Sequence, residues 1–198
     1  MVQQPLKVRR AEQDDIAFVV DLSRRVQEKL TASGSLQQIG PIPRETVEAQ
    51  EKAGTAHVLD GDSRRLGSVF VEPVTVESLR RWKLEDPMLK PWFLHKLMLE
   101  PGEQGRGLGA HFLEGIKAYV ASRQPGASIV LDCWAGNDKL RDFYTRAGFE
   151  LHGVFPANGF EVAVFVYRTK YDLMNSLTWH RKRKDVILHL LQCRIEEQ

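Results

Sequence analysis

The stretch that decides the fold is residues 93–120, FLHKLMLEPGEQGRGLGAHFLEGIKAYV. It begins within an almost continuous apolar run, Trp92 to Leu99, which is typical of a strand covered on both faces. Beyond a glycine-rich turn, apolar residues recur at helical spacing: Leu108, Phe112, Leu113, Ile116, Tyr119 and Val120. The stretch therefore predicts a buried strand, a turn and an amphipathic helix.

The turn itself, Gln104 to Ala110, reads QGRGLGA. The first N–H groups of a helix lack backbone partners and carry a partial positive charge. Glycines without Cβ atoms let an anion approach those groups closely, so the turn predicts a phosphate cradle. A tight connection between a strand and a helix would have a similar composition. A P-loop is excluded because no Gly-Lys-Ser/Thr follows the glycines.

A dinucleotide-binding turn is a second interpretation. Gly105, Gly107 and Ala110 fit the pattern G-x-G-x-x-A, and Asp132 lies roughly 20 residues further on, where a ribose-binding acid is expected. Two features argue against it: residues 100–104 separate the strand from the first glycine, and the turn follows a strand-rich half of the chain. If the turn does bind a dinucleotide, the protein would be a nicotinamide-dependent oxidoreductase, and this alternative would require Asp132.

The order Gln104-x-x-Gly107-x-Gly109 after a strand resembles the coenzyme A loop of the GNAT superfamily of acyl-CoA-dependent N-acetyltransferases. Members of that family also carry an asparagine, a helical tyrosine and a Gly-Phe pair downstream of the loop, in that order. Here Asn137, Tyr144 and Gly148-Phe149 follow the next predicted strand. The resemblance thus extends from the central strand to the end of this helix.

The pattern along the whole chain predicts an α/β fold, with the GNAT-type mixed, mainly antiparallel sheet and helices on both faces. Predicted strands cover 6–9, 57–60, 66–72, 92–99, 128–134, 149–154 and 160–167, and predicted helices begin at 12, 44, 108 and 139. A long connection, 73–91, contains a short helical candidate at 76–84. The predicted GNAT domain is 1–170, and 171–198 is a basic, amphipathic C-terminal extension.

Composition narrows the class of protein. A chain of 198 residues with 42% hydrophobic content can bury one substantial core. The net charge of +2 does not indicate a nucleic-acid partner. Two cysteines, Cys133 and Cys193, make no disulfide framework, and no Cys/His cluster has metal-ligand spacing. No apolar segment suits a signal peptide or a membrane span, so we expect a cytoplasmic protein without a membrane partner.

The resemblance implies that the turn binds the pyrophosphate of acetyl-CoA, braced by Gln104 and assisted by the charge of Arg106. The pantetheine arm would lie along the central strand like an added strand, with the Leu97 N–H polarising the thioester carbonyl. Asn137 would bond the pantetheine, although an asparagine there is also an ordinary helix N-cap. The expected set is Leu97, Met98, Leu99, Gln104, Gly105, Arg106, Gly107, Leu108, Gly109, Ala110 and Asn137.

The resemblance also implies catalytic roles. Tyr144 would protonate the leaving thiolate, since a phenol stays protonated at neutral pH; a core tyrosine is the other interpretation. His95 is the candidate base, because histidine titrates near neutral pH and strand alternation puts it on the same face as Leu97 and Leu99. Glu72 is the alternate base, and Glu100, nearer the loop, is a weaker one. Some relatives use a glutamate where this chain has Phe93.

We therefore expect an N-acetyltransferase that moves an acetyl group from acetyl-CoA to a primary amine, on a small molecule or a peptide, by direct attack. A non-catalytic acyl-CoA-binding module is the other alternative. The 73–91 connection, with Trp82 and nearby Trp92, predicts an aromatic-lined acceptor pocket. The sequence leaves a homodimer open and does not choose among amines.

Overall fold

The computed structural model describes residues 6–61, 64–84, 86, 89–157 and 159–168, so the predicted extension 171–198 lies outside the described residues. The described residues form a seven-stranded sheet with the order β1-β2-β3-β4-β5-β7-β6. Its strands are β1 (Lys7–Arg10), β2 (Ala56–Gly61), β3 (Arg64–Pro73), β4 (Pro91–Leu99), β5 (Ser128–Trp134), β6 (Glu150–Ala157) and β7 (Phe160–Arg168).

In the described part of the chain, five α-helices pack around this sheet: α1 (Ile16–Ala32), α2 (Arg44–Ala53), α3 (Val76–Arg81), α4 (Leu108–Arg123) and α5 (Asp138–Arg146). A short 3-10 helix, Gln13–Asp15, precedes α1. The predicted order of elements is confirmed, and α3 is shorter than the predicted 76–84 segment. No helix among the described residues is long and apolar enough to cross a membrane.

The centre of the sheet is the pair β4 and β5, which run parallel while every other neighbouring pair is antiparallel. Their pairing covers only Pro91, Trp92 and Phe93 against Ser128, Ile129 and Val130. Both strands continue, β4 to Leu99 and β5 to Trp134, without pairing to each other. We call the space between these two unpaired edges the central gap.

A β-bulge in β4 accompanies the gap. Ser68 of β3 pairs with Met98 and Phe70 pairs with His95, so Lys96 and Leu97 together oppose the single residue between Ser68 and Phe70. Lys96 takes a left-handed conformation with φ of 54°. Bulges of this kind bend a strand and increase its twist, which accounts for β4 leaving β5 after three residue pairs.

The bulge also shifts the alternation of side chains along β4. Leu94 before it, and Leu97 and Leu99 after it, pack on the cluster beneath α4 and α5, whereas Met98 packs beneath α1 and α2. The ring of His95 contacts Phe70 of the α1/α2 cluster, with centroids 5.5 Å apart. The expectation that His95 shares a face with Leu97 and Leu99 is therefore wrong, because one extra residue moves the following side chains to the other face.

Helices cover both faces of the sheet, which confirms the prediction that β4 is a strand covered on both faces. Within β4, however, only Leu94 and Met98 are buried, and the other residues are half-buried. The α4/α5 face is anchored by Phe112, Leu113 and Ile116. These are the apolar helix positions that the sequence pattern identified, so the predicted orientation of α4 is confirmed.

Asp15 ties the start of α1 to the sheet. Its carboxylate is fully buried and accepts hydrogen bonds from Arg9, at 2.6 Å, from Arg65, and from the Glu12 N–H at 2.8 Å. Burial opposes ionisation, but these bonds outweigh it and lower the pKa of Asp15. Asp15 therefore belongs to a buried ion pair, and its negative charge also complements the dipole of α1.

His57 on β2 predicts a pH dependence of stability. It is fully buried, its Nδ1 lies 3.1 Å from the Thr55 carbonyl oxygen, and its Nε2 is sealed without a partner. Burial and, secondarily, the charge of Arg10 lower the pKa of His57 to about 4. The unfolded chain, with a histidine pKa near 6.5, binds the proton more tightly, so stability is complete above pH ~6.5.

We expect the free energy of unfolding to fall by roughly 3 kcal/mol as the pH drops from about 6.5 to about 4. Urea unfolding across this range should show that slope in the wild type and lose most of it in His57→Gln. His111→Gln, at an exposed position on α4, controls for removing a histidine as such. Equal slopes in wild type and His57→Gln would contradict the assignment.

Candidate active site

The central gap presents unpaired main-chain groups in the middle of the sheet. The Glu100 N–H donates to the Leu66 carbonyl of β3, so alternation turns the main-chain groups of Leu99, and of Leu97 beyond Met98, away from β3 and toward the gap. Met98, paired with Ser68, turns its main-chain groups to β3 instead. A buried strand edge without partners is costly, so this edge is suited to an extended ligand.

The glycine-rich turn lies at the end of β4 and the start of α4. Gly105 and Gly107 have φ of 85° and 78°, and a Cβ at either position would meet no atom within 4 Å. Glycine is therefore required for the backbone conformation, and the space above the turn is open. Gly109 has a different role, because a Cβ there would lie 3.1 Å from the ring of Phe143, so it lets α4 approach α5 closely.

The start of α4 has no side-chain cap, because its N-cap residue is Gly107. Two helices do carry a side-chain cap: the Thr75 hydroxyl accepts from the Ser78 N–H in α3, and Asn137 Oδ1 accepts from the Leu140 N–H in α5. The first N–H groups of Leu108, Gly109 and Ala110 are thus left for another acceptor. Together with the helix dipole they form an anion-binding site.

The polar residues of the turn are held by neighbouring elements. Gln104 Oε1 accepts a hydrogen bond from Lys29 Nζ of α1 at 2.9 Å, which braces the turn against that helix. Arg106 donates to Glu103 Oε2 at 2.6 Å, and Glu103 also pairs with Arg64. The charge of Arg106 is therefore partly compensated within the protein.

Asn137 begins α5 at the carboxyl end of β5. Its Oδ1 accepts from the Leu140 N–H at 3.0 Å, so the N-cap interpretation is confirmed. That bond uses only the carbonyl oxygen of the side chain and leaves the amide NH₂ group for a ligand. The helix carries Tyr144 on its buried side, two turns further on.

Tyr144 is almost completely buried among the rings of Phe143, Phe149 and Phe165. Burial, with smaller contributions from Cys133 and Asp132, raises its pKa well above the ordinary phenol value. No described residue hydrogen-bonds its hydroxyl. Tyr144 is thus a core residue and also a phenol that keeps its proton at neutral pH, so the two interpretations are compatible.

His95 and Glu72 lie in contact on the α1/α2 face of the sheet, the face opposite Tyr144. Nε2 of His95 lies 3.2 Å from Glu72 Oε1, within ion-pair distance, but the ring N–H does not point at the carboxylate well enough for a hydrogen bond. Contact with His95 is the largest influence on Glu72 and lowers its pKa, while burial acts against it. Gln50 of α2 donates to Glu72 Oε2 at 3.1 Å and lowers that pKa further.

The ring of His95 stacks on Phe93, with centroids 4.8 Å apart and planes 5° from parallel. Phe93, where some relatives have a glutamate, thus orients the imidazole. Glu100, the weaker candidate base, is bound to Arg25 of α1 at 2.5 Å and lies at the far end of β4. Of the candidate bases, His95 and Glu72 are the two that lie in contact.

Asp132 lies within β5 beside the central gap. Burial raises its pKa, while the charges of His95 and Lys96 act in the opposite direction. Asp132 pairs in register with Val164 of the antiparallel strand β7. Since the sheet is mixed and mainly antiparallel, it is not the doubly wound parallel sheet of dinucleotide-binding proteins. The oxidoreductase alternative is therefore wrong.

The two tryptophans do not form one pocket. Trp82 is buried, 3% exposed, in the cluster near α3, where its ring lies 5.2 Å from Phe93. Trp92 packs on the α4/α5 cluster, and its Nε1 donates to Gln124 at 2.9 Å. The expected aromatic-lined pocket made from both tryptophans is therefore wrong. Trp82 packs on Phe93, and Phe93 and Trp92 are consecutive strand residues that point to opposite faces of the sheet. The aromatic rings around His95 belong to Phe93 and Phe70.

Two residues that sequence analysis did not single out contact this region. Gln50 bonds Glu72, and Gln37 accepts from the Trp134 N–H of β5 at 2.6 Å. Both are glutamines in polar stretches, far from their partners along the chain. No local signal separates them from solvent-exposed glutamines, so only the folded chain identifies them.

A surface cavity of about 500 Å³ lies beside the glycine-rich turn, lined by Phe18, Arg64, Arg65, Glu100, Gly102 and Glu103. Its charged side chains already pair with one another or with neighbours, as Arg64 does with Glu103 and Glu100 with Arg25. The cavity is separate from the contact of His95 with Glu72. Of the candidate bases, it is lined by Glu100 alone, whose carboxylate is paired with Arg25.

Comparison with solved structures shows what fold this is. A GNAT-family acetyltransferase from Streptococcus agalactiae matches with a TM-score of 0.70 and 18% identity, over 84% of this chain and 97% of its own. One from Listeria monocytogenes has a TM-score of 0.68 and 21% identity, over 83% and 95%. An acetyltransferase from Salmonella typhimurium with its cofactor acetyl-CoA has a TM-score of 0.62 and 12% identity, over 83% and 94%.

At these identities the likeness concerns the fold alone. No curated protein matches the sequence. Residues 42–149, more than half of the 198-residue chain, match the family described as the acetyltransferase (GNAT) family, and they contain β4, the glycine-rich turn, α4, β5 and α5. The chain therefore belongs to the GNAT family of acetyltransferases.

Proposed function

We propose that this protein transfers an acetyl group from acetyl-CoA to a primary amine by direct attack, with no covalent enzyme intermediate. The observation that supports this most strongly is the central gap, where β4 and β5 stop pairing after Phe93 and Val130. The gap joins an uncapped helix start on one side to a histidine–carboxylate pair on the other. A transferase that holds two substrates needs both.

On the α4/α5 face, the N–H groups of Gly105 to Ala110 bind the pyrophosphate. The main-chain groups of Leu97 and Leu99 bond the pantetheine as a neighbouring strand would, and the Asn137 NH₂ group donates to one of its carbonyl oxygens. The Leu97 N–H stabilises the thioester oxygen as negative charge develops there. A solved protein of the same fold contains acetyl-CoA, which supports the choice of this ligand.

On the α1/α2 face, His95 removes a proton from the incoming ammonium group, and Glu72 stabilises the imidazolium that forms. The neutral amine nitrogen attacks the thioester carbon, forming the C–N bond. As the C–S bond breaks, Tyr144 gives its proton to the departing thiolate, and the proton that the attacking nitrogen loses as the amide forms restores the Tyr144 phenol. The raised pKa of Tyr144 keeps its hydroxyl protonated, and the lowered pKa of Glu72 keeps its carboxylate ionised. These are the protonation states that the two roles require.

The function is tested by measuring thiol release from acetyl-CoA against polyamines, amino acids, aminoglycosides, arylalkylamines and peptides. We expect acceptor-dependent release with at least one class. Release that no amine accelerates, combined with tight acetyl-CoA binding, would favour the non-catalytic acyl-CoA-binding module.

We expect Tyr144→Phe to lower kcat by about 100-fold or more, the lower end of general acid–base contributions. The phenyl ring keeps the packing against Phe149 and Phe165, so the midpoint of urea unfolding and the Kd for acetyl-CoA should change little. Steady-state kinetics and calorimetric titration check both.

Tyr119→Phe is the matched control, since Tyr119 packs on the same apolar cluster but contacts Trp92 and His57 rather than the gap. Its kcat should remain at the wild-type value. An unchanged kcat in Tyr144→Phe would show that Tyr144 is a core residue only.

We expect His95→Gln to lower kcat/KM by about 100-fold and to remove the loss of activity at acid pH that protonation of the base causes. Glu72→Gln should have a smaller effect on kcat/KM, because it removes the carboxylate that stabilises the protonated base. The measurement is kcat/KM as a function of pH for each variant.

Glu100→Gln tests the remaining carboxylate and should leave the shape of that pH profile unchanged, because Glu100 is paired with Arg25. If Glu100→Gln removes the acid limb while His95→Gln retains it, the base is misassigned. If all three variants keep the limb, proton removal runs through water.

A further inference from the structure

The segment between α1 and α2 is held rigidly on the α1/α2 face. We call residues 37–42 the bridge segment. Gln27 Oε1 of α1 accepts from the Ile39 N–H at 2.9 Å and the Gly40 N–H at 3.1 Å, and Ser23 Oγ accepts from the Ile42 N–H at 2.9 Å. The side chains of Ile39 and Ile42 are buried. The segment is thus fixed by polar and apolar contacts together.

The bridge segment contacts both strands that border the central gap. Gln37 Oε1 accepts from the Trp134 N–H of β5 at 2.6 Å, and Lys96 Nζ of β4 donates to the Gln38 carbonyl oxygen at 3.2 Å. The neighbouring Ala135 N–H donates to Glu161, on the side of β7, so the Trp134 N–H faces the gap. Two adjacent glutamines therefore connect β4 to β5 where the strands do not pair.

We propose that Gln37 is a positioning residue that fixes one wall of the acceptor site. This inference rests on the proposed function, because it takes the α1/α2 face to be the side from which the amine approaches His95. Strand pairing at Phe93 and Val130 closes one end of the gap. The bond between Gln37 and Trp134 closes the other end on the acceptor face, so the acceptor is confined between them.

The effect of Gln37 depends on its carbonyl oxygen. Trp134 is half-buried, and no described strand pairs with its gap-facing edge, so loss of the Gln37 oxygen would leave that N–H without a partner among the described residues. Of the two strands that border the gap, the bridge segment would then contact β4 only, through Lys96. The acetyl-CoA turn is braced separately, by Lys29 and Gln104, and should be unaffected.

Three variants separate positioning from a general structural role. Gln37→Met keeps the length of the side chain and removes the acceptor oxygen, whereas Gln37→Glu keeps an acceptor oxygen at the same distance along the chain. Gln38→Met is the matched control, because Gln38 contributes its main-chain carbonyl and its side chain is exposed. All three are compared with the wild-type, full-length protein, using the best amine of the panel.

We expect Gln37→Met to raise KM for the amine about five-fold, the scale of one net hydrogen bond, with the Kd for acetyl-CoA within two-fold of wild type. Gln37→Glu should recover most of the loss, and Gln38→Met should match wild type. Equal amine KM values in Gln37→Met and Gln38→Met would overturn the proposal. So would an equal weakening of amine and acetyl-CoA binding in Gln37→Met.

Hydrogen exchange of the Trp134 amide, followed by NMR, tests the bridge without any activity. Gln37→Met should exchange this proton about five-fold faster, while Gln38→Met and Gln37→Glu keep it protected. Protection unchanged in Gln37→Met would overturn the inference even if the protein is an active acetyltransferase. Fast exchange in a protein that acetylates no amine would instead refute the proposed function and retain the bridge.

Discussion

The site depends on one constraint: β4 and β5 pair for three residues and then separate while both strands continue. A parallel sheet that paired to its end would satisfy every main-chain group and leave no room for a ligand. The bulge at Lys96 and Leu97 bends β4 away from β5, and the cost is a strand edge in the middle of the protein without a strand partner. A thioester-bearing chain with amide groups of its own is the kind of ligand that can satisfy that edge.

In the proposed reaction, the same bulge places the groups for the acyl donor and those for the acceptor on opposite faces. Leu97 turns to the α4/α5 side, where the uncapped start of α4 and Tyr144 lie, while His95 turns to the α1/α2 side and meets Glu72. Under strict alternation these residues would share one face. An acyl donor and an acceptor that reach the gap from opposite sides can meet in line without competing for the same volume.

Burial has different consequences for the ionisable groups of the two faces. Tyr144 is enclosed by aromatic rings, and this burial favours its neutral form. Glu72 is half-buried but is contacted by His95 and Gln50, so its ionised form is favoured. Two groups whose environments shift their pKa values in these directions can serve as proton donor and as partner of a proton acceptor at one pH.

The sequence by itself determined the order of strands and helices, the α4 stripe, the glycine turn and the family, because periodicity and φ-dependent glycines are local properties. It also identified Tyr144, His95 and Glu72 as candidates. Only the tertiary structure decided which face His95 occupies, that Trp82 and Trp92 lie apart, and that Gln37 and Gln50 reach the site. A bulge depends on the register with a neighbouring strand, and a contact such as Gln37 with Trp134 joins residues distant along the chain, so neither leaves a local pattern.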